Sequence, residues 1–287
     1  MVKWLCAALL FALAACAQQT PPPQETAAPP SLELVWRLDG FANPESVALS
    51  EDESFLFVTN VNGEADAQDG NGFISRVSLT GELLEREWAG GLDGPKGIVR
   101  VGALLYVADI DEIAVIAAID GSTRERIAAP GAGFLNDAAL APGGEVLVAD
   151  SANARIYAVR DGAASVWLED DLLRSVNGLL PETERLVVTT MQGRLLAVDY
   201  QTRAISVLAE GLGDADGVGP RSDGGYLVSE WPGAMYAVAP DGTRRTILET
   251  RDDGRYLNDF LLIGDALYQP HWEPSELSAY RVVQAAP

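Results

Sequence analysis

Six short phrases recur along the chain at intervals of about forty residues, and each contains one polar position. An apolar residue or proline precedes the polar position, and a small residue and then an aliphatic or aromatic residue follow it. A fixed period of this size indicates repeated structural units, and a polar position that changes between units indicates where the chemistry lies. In chain order, the polar residues are Glu45, Lys96, Asn136, Asn177, Asp216 and Asn258.

Four of these side chains, Glu45, Asn136, Asn177 and Asp216, offer oxygen atoms that suit a hard divalent cation. Carboxylate and amide oxygens without imidazole or thiolate favour Ca²⁺ over Zn²⁺. Asn258 is expected either as a fifth ligand or just behind the ligands. Since four ligands leave coordination positions open, the ion could polarise a carbonyl oxygen and activate water. The alternative is that these residues only form hydrogen bonds to loops and channel waters.

Lys96 occupies the second polar position. An ammonium beside a dication has a lowered pKa, so we expect Lys96 to act as a base or as an electrostatic handle for a developing oxyanion. In the alternative interpretation, Lys96 forms a salt bridge to Glu45, Asp137 or Asp259, because buried charges are usually paired. In the strongest form of that alternative, the ammonium takes the place of the metal.

The polar phrases must be positioned by β structure. After each phrase, a turn rich in glycine, aspartate or proline precedes a run of β-branched and aromatic residues, and no helix-length amphipathic segment intervenes. Two further runs complete most units, often separated by hairpin signals such as Asp120-Gly121 and Asp241-Gly242. The runs that directly follow the phrases span residues 55–59, 104–108, 146–149, 186–189, 226–229 and 266–269.

The sixth unit lacks a fourth strand, whereas residues 32–38, before the first unit, have the pattern of one. We therefore predict an all-β fold, a six-bladed β-propeller over residues 32–283 whose last blade is closed by the N-terminal strand. A β-helix or sandwich is the alternative, although its strands would be grouped less regularly. In a propeller the first strand of each blade lines the channel, so the six polar side chains would face one another.

The N-terminus carries targeting signals. Lys3 followed by an apolar run predicts a signal peptide over residues 1–15. The phrase Leu13-Ala14-Ala15-Cys16 resembles the bacterial lipobox and predicts a lipid on Cys16, with residues 16–31 as a proline-rich tether. The alternative is an ordinary cleaved signal that happens to contain a cysteine. We expect a protein of the bacterial periplasm, held by its lipid at a membrane, for which the outer membrane is the expected one.

Charge and cysteine content exclude other classes of function. The chain has 42 acidic and 20 basic residues and a net charge of -22, which repels phosphate backbones and anionic membranes. We therefore expect no nucleic-acid partner and no membrane contact except through the lipid anchor. Both cysteines, Cys6 and Cys16, lie at the N-terminus, so no disulfide is expected in the folded body.

At the polar positions the chain resembles the senescence marker protein, gluconolactonase and regucalcin family of six-bladed propellers, and more distantly paraoxonase and strictosidine synthase. In that family a glutamate of the first blade, asparagines of the third and fourth, and an aspartate before glycine in the fifth surround a divalent metal. Glu45, Asn136, Asn177 and Asp216 fall in those blades in that order. The resemblance implies hydrolysis of a small-molecule lactone or related ester, with Asp216 as metal ligand and proton acceptor.

Two positions depart from the pattern of that family. Phe134 stands where sugar-lactone members carry an arginine, which implies a more apolar lactone. Lys96 stands where paraoxonase has the histidine of a His-Gly-Ile phrase, proposed there to be a base. The alternative function is a non-catalytic propeller that binds a ligand or protein partner on its loop face, with a structural metal or none.

Two further segments are expected near the ring. The long connection over residues 60–72 is predicted to be a lid, with a second calcium site at Asp66, Asp69 and Asn71 as the alternative. His271 is the single histidine, and no Gly-x-Ser-x-Gly phrase supplies a nucleophile for it. We expect this histidine to lie in a loop, in the pocket wall or packed against Trp272.

Overall fold

The computed structural model describes Met1 and residues 29–284, and within them almost all regular structure is β-strand. The predicted signal peptide, the lipidation site Cys16 and most of the predicted tether lie outside the described residues. In the described part of the chain, no helix has the length and apolar character needed to cross a membrane. Two single 3₁₀ turns, Asp171–Leu173 and Arg251–Asp253, are the only helical elements there.

The strands form six four-stranded antiparallel sheets in chain order. They are β1 (Ser31–Leu38), β2 (Pro44–Leu49), β3 (Phe55–Asn60), β4 (Gly72–Ser78), β5 (Leu83–Leu92), β6 (Pro95–Val101), β7 (Leu104–Asp109), β8 (Glu112–Ala117), β9 (Thr123–Ala128), β10 (Leu135–Leu140), β11 (Val146–Asp150), β12 (Arg155–Arg160), β13 (Ala163–Glu169), β14 (Val176–Pro181), β15 (Arg185–Thr190), β16 (Arg194–Asp199), β17 (Ile205–Glu210), β18 (Asp214–Pro220), β19 (Tyr226–Trp231), β20 (Ala234–Val238), β21 (Arg244–Glu249), β22 (Leu261–Ile263), β23 (Ala266–His271) and β24 (Glu276–Val283).

The sheets are the blades of a β-propeller. Blades 1 to 5 consist of β2–β5, β6–β9, β10–β13, β14–β17 and β18–β21, each in sequence order from the inner to the outer strand. Blade 6 has the order β22-β23-β24-β1, so the N-terminal strand supplies its outer edge. β1 pairs with β24 from Ser31↔Val283 to Leu38↔Leu277. The predicted six-bladed propeller with N-terminal closure is confirmed, and the β-helix and sandwich alternatives are wrong.

The core lies between adjacent blades. The second strand of a blade is covered on both faces, so it is a continuous apolar run rather than an alternating one. β11 is an example, since all of its residues are buried. One core cluster joins Leu147 and Ile156 of blade 3 to Val188 and Leu196 of blade 4. Each blade is therefore stabilised by its neighbours, which fixes the channel-facing strands relative to one another.

A β-bulge lies at the polar phrase in each of blades 1 to 5. In blade 1, Pro44 pairs with Asn60 and Val47 pairs with Val58, so that Glu45 and its successor oppose a single residue. The same two-against-one register occurs at the phrases of blades 2 to 5. A bulge bends its strand and changes the direction of its side chains. The repeat in the sequence is therefore a repeated bulge in the structure.

The small residue after the polar position is required by the close approach of neighbouring inner strands. A Cβ atom on Gly178 would lie 2.4 Å from the backbone oxygen of Asp216 in the next blade. One on Gly217 would lie 2.4 Å from Oδ1 of Asp259. Because these distances are far below van der Waals contact, glycine at these two positions lets the blades close around a narrow channel.

Candidate functional site

The polar positions of all six blades are buried around the channel. Five of them belong to inner strands, and Asn258 precedes the short strand β22. Burial of so many polar side chains requires partners, since a buried polar group without a hydrogen bond is costly. The exposed fractions are 6% for Glu45, 3% for Lys96, 5% for Asn136, 3% for Asn177, 5% for Asp216 and 4% for Asn258.

Three of the four predicted metal ligands each have a buried oxygen without a hydrogen-bond partner. These atoms are Oε2 of Glu45, Oδ1 of Asn136 and Oδ1 of Asp216. Each such atom costs about 1–3 kcal/mol if nothing satisfies it. The three oxygens come from blades 1, 3 and 5, and all are acceptors, so a cation is one kind of group that would satisfy them together.

The hydrogen bonds that two of the asparagine side chains donate fix the orientation of their amide groups. Asn136 Nδ2 donates to Oγ of Ser151 at 3.2 Å, which leaves Oδ1 of the same amide without a partner. The Asn177 side chain lies close enough to the Asp216 carboxylate to oppose the rise in its pKa. Asn258 Nδ2 donates to the backbone oxygen of Pro44 at 2.8 Å and so joins blade 6 to blade 1.

The two carboxylates of the predicted ligand set have strongly perturbed pKa values. Burial raises the pKa of Glu45 well above its ordinary value, and the charges of Asp216 and Asp259 raise it further. Burial also raises the pKa of Asp216, again with a contribution from Asp259. Without a cation the site therefore favours protonated carboxyl groups, whereas a dication among these oxygens would favour the charged forms.

The donor set fits a hard dication. Among the described residues, no three His, Cys, Asp or Glu side chains form a group that could hold a metal ion. The predicted set contains only two such side chains, Glu45 and Asp216, and the other two are asparagines. Amide and carboxylate oxygens are ligands that Ca²⁺ accepts, whereas Zn²⁺ and Cu²⁺ sites use imidazole or thiolate.

Lys96 is held by carbonyl oxygens and an aromatic ring. Its Nζ donates to the backbone oxygens of Ala65 at 2.7 Å and Gly94 at 3.1 Å, and it lies 4.2 Å from the centroid of the Phe134 ring. Burial lowers its pKa, and the charge of Glu45 opposes that shift most strongly.

Because no ion pair joins Lys96 to a carboxylate in the described chain, the alternative salt bridge to Glu45, Asp137 or Asp259 is wrong. Lys96 also donates to none of the three unpartnered oxygens, so the ammonium does not satisfy them in place of a metal.

The long connection between β3 and β4 is attached to the ring face. Besides the bond from Lys96 to Ala65, the backbone N–H of Gly70 donates to Asp93 Oδ1 at 2.9 Å. The N–H of Gly63 donates to Asn43 Oδ1 at 3.1 Å, two residues before Glu45. These contacts place the connection beside the polar ring, and its role as a lid stays a prediction.

The sequence assigned no role of their own to two further aspartates of the channel, the buried Asp137 and the partly buried Asp259. Asp137 accepts hydrogen bonds from the backbone N–H groups of Ala138 at 2.7 Å and Leu179 at 2.6 Å. Asp259 accepts a hydrogen bond from Ser46 Oγ at 2.8 Å. Burial raises the pKa of Asp137 well above its usual value and that of Asp259 to about 6. One feature of the sequence could have indicated these two residues. The position directly after the polar residue is aspartate in blades 3 and 6, whereas it is glycine in blades 2, 4 and 5.

His271 does not lie in a loop. It is the last residue of β23, is fully buried and has Nε2 2.8 Å from Oγ of Ser278 on the neighbouring strand β24. Burial lowers its pKa to about 3. The histidine is therefore neutral and packed inside blade 6, and the expectation that it sits in a loop at the pocket wall is wrong.

Solved structures of other propellers match this fold over most of its length. A streptogramin B lyase matches with a TM-score of 0.64 at 12% identity, over 90% of this chain and 100% of that chain. A catalytically inactive histidine-to-alanine variant of virginiamycin B lyase from Staphylococcus aureus, with quinupristin, matches with a TM-score of 0.60 at 12% identity, over 88% of this chain and 100% of that chain.

A protein described as a candidate gluconolactonase matches with a TM-score of 0.66 at 16% identity, over 90% of this chain and 94% of that chain. No protein-family model and no curated protein sequence matches the chain. At these identities the likeness establishes the propeller fold. It agrees with the resemblance to gluconolactonase-type propellers noted in the sequence.

Proposed function

We propose that the protein is a metal-dependent hydrolase of a lactone or related ester, and that its metal is Ca²⁺. The observation that carries the proposal is the set of three buried oxygens without partners, on Glu45, Asn136 and Asp216. These are ligand positions in the family that the sequence resembles, and the fold agrees with that resemblance.

The roles of the residues follow from their chemistry. Glu45, Asn136, Asn177 and Asp216 would hold the ion, which when bound supplies a Lewis acid for the carbonyl oxygen of the substrate and for an attacking water. Asp216 accepts a proton from that water as its oxygen attacks the carbonyl carbon. The positive charge of Lys96 stabilises the negative charge that develops nearby. As the C–O bond breaks, Asp216 would return that proton to the departing oxygen, so a lactone would give a hydroxy acid and an open ester would give an acid and an alcohol.

The lyases among the structural neighbours suggest a different chemistry, which we do not extend to this chain. One of those lyases is inactivated when a histidine is replaced by alanine. The single histidine here, His271, is fully buried inside blade 6 with its pKa lowered to about 3. A group in that environment is a poor proton acceptor for a substrate in the channel, whereas Asp216 belongs to the ring.

The test is metal analysis of the purified protein followed by hydrolysis assays. We expect about one Ca²⁺ per chain and turnover of at least one member of a panel of aliphatic, aryl and sugar lactones. Chelation should remove both the metal and the turnover, and Ca²⁺ should restore them. Stoichiometric metal without turnover of any lactone or ester would instead support a non-catalytic propeller that binds a ligand or protein partner.

We also propose that the protein is a lipoprotein of the bacterial periplasm, anchored through Cys16 to the outer membrane. This proposal rests on the lipobox-like phrase and the tether that follows it. In a bacterial host, the wild-type protein should fractionate with the outer membrane and incorporate labelled palmitate. The Cys16→Ser variant should lose both properties, and retention of the label in that variant would contradict the proposal.

A further inference from the structure

A collar of side chains surrounds the polar ring at the same face of the propeller. Each blade contributes one residue to the collar. This residue is the last one of the second strand or the one directly after it, at the end of the blade where the inner strand begins. Five of these six residues are apolar, whereas the ring beneath them is polar. The collar consists of Val61, Ile110, Ser151, Met191, Trp231 and Trp272.

Backbone contacts fix the collar directly beside the ring. In most blades the collar residue is joined to the residue that stands two places before the polar position, so collar and ring keep a constant offset. The N–H groups of Val61, Ser151, Met191 and Trp272 donate to the oxygens of Asn43 (3.1 Å), Phe134 (2.9 Å), Ser175 (2.9 Å) and Tyr256 (2.9 Å), and Trp231 pairs with Asp214 in the sheet.

The collar is aromatic on one side. The ring centroids of Trp231 and Tyr256 lie 5.3 Å apart, and those of Trp231 and Trp272 lie 6.2 Å apart, both in edge-to-face orientation. All three side chains are only partly buried. The three side chains therefore present partly exposed aromatic surface, and such surface packs well against planar apolar groups. We call Trp231, Tyr256 and Trp272 the aromatic cluster.

The aromatic cluster lies at the strand ends from which the two carboxylates of the proposed metal site arise. Trp231 pairs with Asp214, two residues before Asp216. The backbone oxygen of Trp272 accepts a hydrogen bond from Asn43 Nδ2 at 3.3 Å, two residues before Glu45. A substrate whose reacting carbonyl lies at the ring would therefore place its adjoining group against the aromatic cluster.

The rest of the collar offers little to a hydroxyl-rich substrate. Its only hydroxyl belongs to Ser151, and this hydroxyl already donates to the backbone oxygen of Val176 and accepts from Asn136. The face of Phe134 is covered by the ammonium of Lys96. A sugar lactone would lose water from several hydroxyl groups here without gaining hydrogen bonds from the collar, which disfavours its binding.

We propose that the aromatic cluster is the subsite for an aromatic ring of the substrate, so that the protein prefers aryl lactones and esters to aliphatic and sugar ones. This inference rests on the proposed hydrolase function, whose substrate class it specifies. Trp231 and Trp272 would provide most of the aromatic surface, and Tyr256 packs against Trp231 in an edge-to-face pair.

The test compares two six-membered lactones that differ in a fused benzene ring, dihydrocoumarin and δ-valerolactone. In the Ca²⁺-loaded protein, we expect Trp272→Leu to raise KM for dihydrocoumarin about 3- to 10-fold and to leave KM for δ-valerolactone nearly unchanged. Trp272→Phe, which keeps an aromatic face, should restore most of the difference. Trp167→Leu is the matched control, because Trp167 is also partly buried but packs on Tyr200 and Arg203 in blades 3 and 4.

Binding without turnover separates this inference from the proposed function. Dihydroquinolinone and δ-valerolactam, the matching lactams, should differ in affinity by calorimetry, with the aromatic lactam tighter in the wild type and not in Trp272→Leu. Equal affinities, or an equal loss in Trp167→Leu, would overturn the aromatic subsite even if lactones are hydrolysed. Tight aromatic binding without hydrolysis of any lactone would overturn the proposed function and leave the subsite standing.

Discussion

Two layers of polar side chains meet at the channel, one residue apart in the repeated phrase, and they differ in how their polar atoms are satisfied. The upper layer consists of Glu45, Asn136, Asn177 and Asp216. The lower layer consists of Ser46, Asp137 and Asp259. Except for Asp259 in blade 6, the residues of both layers lie in the same bulged segments, and the carboxyl groups of both layers have pKa values raised by burial.

The lower layer satisfies itself within the protein. Each oxygen of Asp137 accepts a backbone N–H, one of them from the neighbouring blade, and Asp259 accepts from Ser46 across the junction of blades 6 and 1. In the upper layer Glu45, Asn136 and Asp216 each keep an oxygen without a partner. Burial and a raised pKa are therefore common to both layers, and the unpartnered acceptors distinguish the upper layer from the lower one.

Beyond the lower layer the channel becomes apolar. A cavity of about 380 Å³ continues from Ser46, Asp137 and Asp259 to the other face of the propeller. Most of its wall comes from aliphatic residues that follow the polar phrases, such as Val47 and Leu179. The lower layer thus closes the polar part of the channel, and the candidate chemistry is confined to the upper layer.

The largest effect is expected from making the same change in each layer. Asp216→Asn removes one of the two carboxylates of the proposed site, and we expect Ca²⁺ affinity and hydrolysis to fall by about 100-fold or more. Asp137→Asn keeps a side-chain oxygen for one of the two backbone donors, so we expect it to fold and to retain Ca²⁺ affinity within about threefold. Calorimetric titration with Ca²⁺ measures both.

An equal loss of Ca²⁺ affinity in the two variants would show that the layers act as one site. Tight Ca²⁺ binding by Asp216→Asn would remove this aspartate from the ligand set. Thermal unfolding of the metal-free variants serves as the control for folding. Asp120→Asn, at an exposed hairpin turn, is the control for loss of one negative charge.

The blades could be predicted from the sequence because their signals are local. The run over residues 55–59 corresponds to β3, and the pattern of residues 32–38 to β1. The second strands continue one or two residues beyond the predicted runs, to polar ends such as Asp109 and Asp150. These aspartates resemble turn residues in the sequence, but Asp109 accepts backbone N–H groups of the preceding inter-blade loop at 2.8–3.1 Å.

The bulges and the orientation of Lys96 could not be predicted. A bulge is a property of the register between two strands, and the phrase around Glu45 reads equally well as a regular strand. The partners of Lys96 are backbone oxygens, including that of Ala65 in the long connection, and backbone oxygens leave no trace in residue type. The sequence therefore indicated which residues ring the channel but not which of them lack partners.

The next largest effect is expected from pH in the metal-free protein. The pKa of Asp259 is raised from 3.8 to about 6 in the fold, and those of Glu45, Asp137 and Asp216 are raised as well. Since the fold favours the protonated forms, their stabilising contribution is complete below the unfolded pKa near 4. For Asp259 it is lost as pH rises through about 6, and for the other three it is lost as pH rises through their own raised pKa values. In chelator, we expect a Tm several degrees higher at about pH 5 than at about pH 7.5.

Addition of Ca²⁺ should distinguish the contributions of the two layers to the pH dependence of Tm. Saturating Ca²⁺ should raise Tm at about pH 7.5 more than at about pH 5, because the ion binds charged carboxylates of the upper layer and stabilises the folded state by mass action. Asp259→Asn should reduce the pH dependence that remains in Ca²⁺. A metal-free Tm that rises from about pH 5 to about pH 7.5 would contradict the raised pKa values on which the comparison depends.

The smallest effect is expected from the hydrogen bond that completes the lower layer. Ser46→Ala removes the Oγ that donates to Asp259 at 2.8 Å, and it leaves the Ser46 N–H bonded to Thr59 Oγ1 at 2.9 Å. Loss of this bond should lower the free energy of unfolding by about 0.5–1.5 kcal/mol in urea denaturation, with Ca²⁺ affinity unchanged. That bond lowers the pKa of Asp259, so its removal should raise this pKa. The loss of stability with rising pH should therefore occur at a slightly higher pH in the variant than in the wild type.

The matched control for this change is Ser54→Ala. Ser54 Oγ also donates to an aspartate, Asp52, at 2.7 Å, but both residues are exposed. Water replaces the lost bond there, so we expect a change below about 0.5 kcal/mol. If the two serine variants are equally stable, Asp259 does not depend on Ser46, and the difference between the layers reduces to the three unpartnered oxygens of the upper layer. If Ser46→Ala instead weakens Ca²⁺ binding, the lower layer supports the metal site. Asp259 would then contribute to Ca²⁺ binding together with Asp216.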